Sequence, residues 1–431
     1  MKKTLFLLIF LSGVYTNSLV AQSKTDSEKL DEYFTALTAI KNFNGNVIIA
    51  RKANILLDKS YNITENVNGL KVDKNSKFII ASVSKIFVKY AILKLVELNK
   101  LKLSDKLSKF IPGFEYGDKI TIEQLMYHQS GLPRELQDYD KYENISMAQT
   151  IELARKEKLQ FVPGTQTLYS NIGYLLLHYI INKVSGNYWD FMNKEVLQKY
   201  QMEHTGEFNA INKVDNFAYG YNLENGKIIP VSKESINRFE TGNYFSTVTD
   251  LYNFSKLLLS GKFLKKELAL KMFEKENTLI QAGGRPGYRA YYYQNLSSDI
   301  TFIFTSNYTD IPFQQVTTDI VNLMENKPYQ IPKKTERKAI TLPDDVLQCY
   351  IGKYALEADL SQIFIISVVN HQLVITDKDN EKTILYPDTE TTFFDNPSSQ
   401  DSYNFSLDSQ TQKYNLTIIS TGVKLKTKRL E

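Results

Sequence analysis

Cysteine is nearly absent from this chain: Cys349 is the only one in 431 residues. One thiol cannot close an intrachain disulfide, so no such staple holds the fold, whatever compartment it occupies. Cys349 is followed by Tyr350, Ile351 and Gly352 in what reads as an ordinary strand entry, which argues against a cysteine nucleophile. Histidine is scarce too, and His128, His178, His204 and His371 form no His-x-His or His-x-x-x-His pair. A zinc hydrolase is disfavoured, and neither a metal nor any other cofactor is expected. Charge of one sign is not in excess: the net +4 is slight for this length, and no Lys/Arg cluster is interleaved with aromatics. Nucleic acid is therefore not an expected partner. Apolar runs of membrane-spanning length are missing from the body of the chain. What remains, 42% hydrophobic and 23% charged, is the composition of a globular protein long enough for an enzyme domain and a smaller companion.

The first residues have a character of their own. Lys2 and Lys3 precede an apolar run from Leu5 to Leu11, and a polar stretch leads to Ala21 just before Gln22 and Ser23. This is the anatomy of a secretory signal peptide over residues 1–21, with an uncleaved anchor as the alternative. The chain is expected to be exported, to the periplasm or the medium, with no transmembrane segment after signal removal.

After the leader, Asp26 to Lys41 reads as an amphipathic helix with Leu30, Tyr33, Phe34 and Leu37 on one side. Strands follow at Asn46–Ala50 and Ile55–Ser60, and an apolar helix is expected from Val83 to Leu98. Further helices are predicted over Thr121–His128, Ser146–Lys156, Asn171–Val184, Tyr188–Tyr200 and Thr249–Leu259. Strand-like runs return at Tyr288–Gln294 and Ile300–Ser306, before a helix from Phe313 to Met324. Strands at both ends with helices between predict one sheet whose edges come from distant parts of the chain. Residues 326–343 hold Pro328, Pro332 and Pro343 with a run of Lys and Arg, and read as a linker. Beyond it, short alternating runs from Ile363–Val369 to Val423–Thr427, separated by turns such as Thr421-Gly422, predict a small antiparallel barrel or sandwich over 344–431.

Two stretches carry candidate chemistry. In Ser82-Val-Ser-Lys85 an apolar segment ends and a helix begins, so Ser82 meets free backbone N–H groups and the positive end of the helix dipole. Lys85 lies one turn on, on the same face, where a partly desolvated amine can take the serine proton. An N-cap serine followed by a solvated lysine is the alternative. Tyr169-Ser-Asn171 precedes a second apolar helix. Its phenol can relay a proton if neighbouring cations lower its pKa, and its carboxamide can hold Lys85 or a substrate carbonyl. Alone, this pair also reads as a packing aromatic and an asparagine N-cap.

Together, in order, these motifs resemble the first two motifs of class C β-lactamases and their relatives among D-alanyl-D-alanine carboxypeptidases, D-aminopeptidases and esterases. Three further landmarks are similar: Thr121-Ile-Glu-Gln-Leu-Met-Tyr-His128-Gln-Ser-Gly-Leu-Pro133, Phe161-Val-Pro-Gly164 and Gly242-Asn-Tyr-Phe-Ser-Thr247. The resemblance covers roughly residues 28–325. It implies the serine β-lactamase/penicillin-binding-protein fold, an α+β architecture: a mainly antiparallel sheet flanked by helices, with an inserted all-helical region. The expected organisation is a hydrolase domain over 22–325, the linker, and the C-terminal β-domain. Ser82 is the implied nucleophile, Lys85 and Tyr169 the proton-handling pair. His128, which as a lone histidine would invite a Ser–His dyad, is expected instead to hydrogen-bond loop backbone where its helix ends.

The third motif departs from the family pattern. Gln281-Ala-Gly-Gly-Arg-Pro-Gly-Tyr288 registers on the family's Lys-Thr-Gly or His-x-Gly strand, with Gln281 in the place of the basic residue. The resemblance assigns Asn171, Gln281, Gly283, Gly284 and Arg285 to substrate binding, with the Gly284 and Ser82 N–H groups as the oxyanion hole. Glycines suit a strand whose backbone lies close to a ligand. A neutral glutamine cannot supply the positive potential that binds a carboxylate, so weak or no β-lactamase activity is expected. Arg285 or Arg289 restores that charge, or both lie on a solvent-facing loop. The implied activity is acyl transfer to water from D-amino-acid peptides, amides or small esters, with a small-molecule or peptide substrate that includes cell-wall material. The alternative is a catalytically impaired binding or receptor protein of the same fold.

Overall fold

In a computed structural model of the chain, residues 24–65, 67–137, 141, 145–208, 213–224, 226–231, 243–334, 336–357, 359–378, 380–397, 401–420 and 423–430 are described. The expected signal peptide, Gly242 and the Thr421-Gly422 turn lie outside the described residues.

The chain opens with helix α1 (Asp26–Ala39) and the hairpin β1 (Gly45–Arg51) and β2 (Asn54–Tyr61). Thr25 starts the helix: its hydroxyl accepts from the Glu28 N–H while the Glu28 carboxylate accepts from the Thr25 N–H, a capping box. A short strand β3 (Phe78–Ile79) leads through a 3₁₀ turn, Ala81–Ser84, into α2 (Lys85–Glu97). Short helices α3 (Leu107–Phe110), α4 (Ile122–Met126) and α5 (Met147–Ala154) follow. The longer α6 (Asn171–Ser185) and α7 (Tyr188–Met192) complete this helical region. Next come β4 (Gly206–Glu207), the hairpin β5 (Tyr221–Glu224) and β6 (Lys227–Pro230), β7 (Tyr244–Ser246) and helices α8 (Val248–Leu258) and α9 (Lys266–Leu270). Strands β8 (Thr278–Arg285), β9 (Tyr288–Asn295) and β10 (Ile300–Ser306) and helix α10 (Phe313–Met324) return to the sheet.

The main sheet has the order β2-β1-β10-β9-β8 and every pairing in it is antiparallel. Segments about 260 residues apart in the chain therefore meet inside the sheet, with Gly45 opposite Ser306, and not only at its edges as expected. Helices cover both faces. Val47, Ile49, Tyr291, Tyr293, Phe302 and Phe304 face α1 and α10, whereas Ile48, Tyr292 and Ile303 face the large core built on α2, α6 and α8. Period-two alternation that is apolar on both sides is what a sheet sandwiched between helices requires.

Three local expectations need correction. The helix predicted from Val83 begins as a 3₁₀ turn and becomes α only at Lys85, because Ala81 sits at φ 45 and the chain enters from β3 at a sharp angle. The helix predicted over Tyr188–Tyr200 stops at Met192 and widens into a π turn over Asn193–Leu197, which keeps the same apolar side inward. Cys349 does not enter a strand: it ends the helical turn α11 (Asp344–Gln348), and β11 starts at Gly352.

Residues 326–343 contain no helix or strand among the described residues, yet they are anchored. Tyr329 and Ile331 pack under the sheet, and the Arg337 N–H donates to the Pro397 carbonyl. Beyond them, β11 (Gly352–Leu356), β12 (Asp359–Val369), β13 (Gln372–Thr376) and β14 (Lys382–Pro387) are joined by β15 (Thr392–Phe394), β16 (Ser402–Leu407), β17 (Tyr414–Ser420) and β18 (Val423–Arg429). Pairing of β11 with β18 closes them into a barrel, which decides between barrel and sandwich. Tyr350, Phe393 and Phe405 stack and interlock in its interior. No helix among the described residues is long and apolar enough to cross a membrane.

Candidate active site

Ser82 emerges from a strained entry. The Ile80 N–H is held by the Tyr244 carbonyl of β7, Ala81 takes a left-handed conformation, and the Val83 N–H turns back to the Ile80 carbonyl. The turn leaves Ser82 partly exposed ahead of α2, whose other residues through Leu95 are buried. Lys85 Nζ is 2.9 Å from Ser82 Oγ, and the Tyr169 hydroxyl donates to the same oxygen at 2.8 Å. Lys85 is buried beneath two aromatic rings, with Nζ 5.1 Å from the Tyr169 centroid and 5.4 Å from that of Tyr174. Burial lowers its pKa to about 7; the Glu135 carboxylate opposes this, and the Arg285 and Arg134 charges reinforce it.

Tyr169 is positioned by two chain segments zipped side by side. The Leu168 N–H donates to the His128 carbonyl, the Gly164 N–H to Gln129, and the Gln160 N–H to Gly131. Ser170 caps α6, accepting from the Gly173 N–H and donating to the Pro133 carbonyl. His128 Nδ1 accepts from the Ser170 N–H at 3.1 Å, and its ring lies 4.6 Å from that of Tyr169. Burial first, then the Lys85 and Lys89 charges, lowers the His128 pKa to about 3, so the ring is a neutral brace under the tyrosine. The condition named in the sequence reading, neighbouring cations that lower the Tyr169 pKa, is not met, because the pKa is raised. Burial raises it by more than the Ser82 hydrogen bond, the Arg134 charge and Gln281 lower it, so the phenol is protonated at neutral pH. Arg134, missed by sequence reasoning, lies 5.1 Å over the Tyr169 ring.

Asn171 lies in the same cleft, but its Nδ2 donates to Glu135 Oε1, and no hydrogen bond from Lys85 to its Oδ1 is made among the described residues. Glu135 too escaped the sequence reading, which followed the His-x-Ser-Gly-Leu-Pro landmark only as far as Pro133. The signal was there in the next two residues, Arg134 and Glu135, a charged pair directly after a loop landmark, and both line the cleft with Ser82.

Strand β8 forms the opposite wall. A Cβ on Gly283 would stand 2.2 Å from the Ile80 carbonyl oxygen and 3.3 Å from the Ser82 nitrogen, so only glycine lets this strand lie on the Ser82 turn. Gln281 approaches the Tyr169 hydroxyl, and its Nε2 donates to the Ala282 carbonyl at 3.2 Å. Arg285 and Arg289 are not on a solvent-facing loop. They stand on the two strands of the β8–β9 hairpin and line the cleft. Arg289 Nη1 donates to the Arg285 and Tyr288 carbonyls and so braces the hairpin end. The cleft encloses about 660 Å³ and gathers Ser82, Lys85, Tyr169, Asn171, Gln281, Gly283, Gly284 and Arg285.

A profile of the beta-lactamase family matches residues 30–320. Penicillin-binding protein 4* of Bacillus subtilis (strain 168) is 26% identical over 411 residues, covering 85% of this chain and 90% of that protein. The octameric penicillin-binding protein homologue from Pyrococcus abyssi superposes with a TM-score of 0.62 at 20% identity, over 94% of this chain and 100% of that one. D-amino acid amidase from Ochrobactrum anthropi SV3, complexed with D-phenylalanine, gives a TM-score of 0.59 at 17% identity, over 70% of this chain and 98% of that one. At these identities the two structures share the fold. With the family profile spanning most of the sheet and its helices, this chain belongs to the beta-lactamase family and is a serine hydrolase.

Proposed function

We propose that the chain is exported and that Ser82 attacks amide or ester carbonyls to form an acyl-enzyme, with D-amino-acid peptides or small esters as substrates and little β-lactamase activity. The observation that carries this reading is one serine oxygen within hydrogen-bond reach of both a buried amine and a buried phenol. Lys85, largely unprotonated just above pH 7, takes the Ser82 proton as Oγ bonds to the carbonyl carbon. The backbone N–H groups of Ser82 and Gly284 receive the oxyanion. Tyr169, held protonated, gives its proton to the departing nitrogen or oxygen as the scissile bond breaks, and recovers one from the Lys85 ammonium. Water then attacks the ester carbonyl, returning the proton to Ser82 Oγ. Asn171 and Gln281 orient the substrate. The penicillin-binding relative and the D-phenylalanine-bearing amidase support D-amino-acid or cell-wall peptides as the substrate class. Export rests on the leader at residues 1–21.

A fluorophosphonate or fluorescent penicillin is expected to add its mass to the tryptic peptide holding Ser82, and not to a Ser82→Ala chain. Label retained in Ser82→Ala would remove the assignment. A screen of D-Ala-D-Ala peptides, D-amino amides, p-nitrophenyl esters and nitrocefin then ranks substrates. Labelling without turnover of any of them would point to a binding protein.

Gln281→Lys should raise penicillin acylation by roughly tenfold, since a cation at that point attracts the β-lactam carboxylate. Stopped-flow acylation rates measure this. An unchanged rate would mean that Arg285 already supplies the charge.

A further inference from the structure

The C-terminal barrel carries an aliphatic strip on its outside. Across β11, β12, β13 and β14 the register sets Lys353, Ile365, Thr376 and Lys382 in one row. The next row on the same side holds Ser367, Val374 and Ile384. Residues two apart on a strand share a side, so Val369 joins them, while the alternate positions, Ile366, Leu373, Ile375 and Leu385, fill the interior. Ile365 is 42% exposed, Ile384 43% and Val369 49%, whereas Val374, opposite Ile384, is buried. Leu430, whose N–H donates to the Lys353 carbonyl, is 46% exposed at the edge of the same strip.

Lysines stand on both sides of this strip. Lys353 on β11 and Lys424, Lys426 and Lys428 on β18 flank it on one side, and Lys382 on β14 on the other. The three on β18 alternate with Leu425, which packs inward, so they point outward together. All five lysines are exposed, and none makes a side-chain hydrogen bond or ion pair among the described residues. Residues 344–431 hold thirteen Asp and Glu against eight Lys and Arg, so the barrel is acidic as a whole and its positive charge is gathered here. Glu357 and Glu381 are the acids next to these strands, and both sit at strand ends.

The strip also faces away from the tether to the hydrolase domain. That tether holds the end of β14 and the β15–β16 connection: the Ile340 N–H donates to the Pro387 carbonyl, and Arg337 donates to the Pro397 and Asp401 carbonyls. In the closed order of eight strands β16 stands opposite β12, so the strip is the side left free.

We infer that the outer face centred on β12 is a docking surface for an anionic lipid bilayer. The aliphatic tips enter the headgroup boundary, and the flanking lysines, on long apolar stems, reach around the curved barrel to the phosphates. A second copy of the chain would bring lysine against lysine. Single-stranded nucleic acid stacks on aromatic rings, and the exposed residues of the strip are aliphatic. A soluble polyanion would meet the lysines but leave the strip in water. Docking is independent of the catalytic reading above, since no residue of the cleft takes part.

The test is co-sedimentation with vesicles of phosphatidylcholine, alone or mixed equally with phosphatidylglycerol. It uses the chain without residues 1–21, so that the apolar leader contributes nothing. The chain is expected to bind the mixed vesicles at least about tenfold more strongly than the neutral ones, and less strongly in high salt. Ile365→Ser, Val369→Ser and Ile384→Ser together should lower binding about tenfold, and so should Lys353→Gln, Lys426→Gln and Lys428→Gln together. Leu407→Ser with Lys413→Gln, changes to equally exposed residues on the far side of the barrel, should bind as the wild type does. All these chains should keep the wild-type unfolding midpoint, because every altered side chain is exposed; Ile365→Ser alone, the mildest change, should still lose about threefold in binding. Equal binding to neutral and mixed vesicles would overturn the inference, as would an equal loss in the Leu407 and Lys413 chain. Loss in the lysine variant with full binding in the aliphatic one would mark a polyanion site and overturn the bilayer assignment.

Discussion

Lys85→Met is expected to lower kcat/KM by about 10⁴-fold and at the same time to raise the unfolding midpoint of the chain. The activity loss follows from position: no other amine or imidazole donates to or accepts from Ser82 Oγ among the described residues, and the remaining partner, Tyr169, is a protonated phenol. The stability gain follows from linkage. Burial lowers the Lys85 pKa from 10.5 to about 7, so between those values the unfolded chain binds more protons than the folded one. Stability therefore rises with pH across that window, and the full penalty of burying the ammonium stands below about pH 7. Methionine is unbranched, one atom shorter, and has no charge to desolvate, so the gain, on the order of 1–3 kcal/mol, should be largest at pH 6 and shrink toward pH 10. Thermal unfolding followed at several pH values checks this, and a midpoint that falls at every pH would refute the desolvation account. The same group sets the pH–rate profile. In the wild type kcat/KM should climb with an apparent pKa near 7 and then hold a plateau, since the Tyr169 pKa lies above its usual value of 10.0.

Gly283→Ala should cost about 10²–10³-fold in labelling rate and roughly 1–3 kcal/mol of stability, whereas Gly284→Ala should keep the labelling rate within about threefold. One methyl separates these outcomes through what it meets. At Gly283 it would press on backbone, 2.2 Å from the Ile80 carbonyl oxygen, and β8 or the Ser82 turn must give way. At Gly284 it would meet Arg289 Nη1 at 3.4 Å, an ordinary van der Waals contact with a side chain and not with backbone. A shift of about 1 Å in β8 would separate the Gly284 and Ser82 N–H groups proposed above to share the oxyanion, and that separation is the expected source of the rate loss. Labelling rates with a fluorophosphonate at matched concentration measure the contrast. Equal rates for the two variants would mean that β8 is not held against the Ser82 turn as described.

Much of the site could be read from residues alone because its key spacing is local. Ser82 and Lys85 are one helical turn apart, and that spacing puts an amine beside a hydroxyl whether the turn is 3₁₀ or α. Apolar patterning announced the helices beginning near Thr121, Ser146 and Asn171, although Ser170 and not Asn171 proves to be the N-cap, and strand-like runs announced β1, β9 and β10. The glycine register around Gln281 located the facing strand. Glu135 and Arg134 were not legible. Each is a surface-type residue in a loop, and only the segment folded against it gives it work.

The sequence by itself determined the periodic elements, the order of the motifs and the serine–lysine spacing, all of which depend on geometry within a few residues. Tertiary structure alone decided that Gly45 would pair with Ser306, that β11 would find β18 and close a barrel, and that Ala81 would break the line of the helix. It also decided the state of Lys85, whose pKa falls to about 7 because burial, with the Tyr169 and Tyr174 rings over its amine, takes it out of water. Desolvation and strand pairing are properties of which distant segments come together, and no window of neighbouring residues contains them.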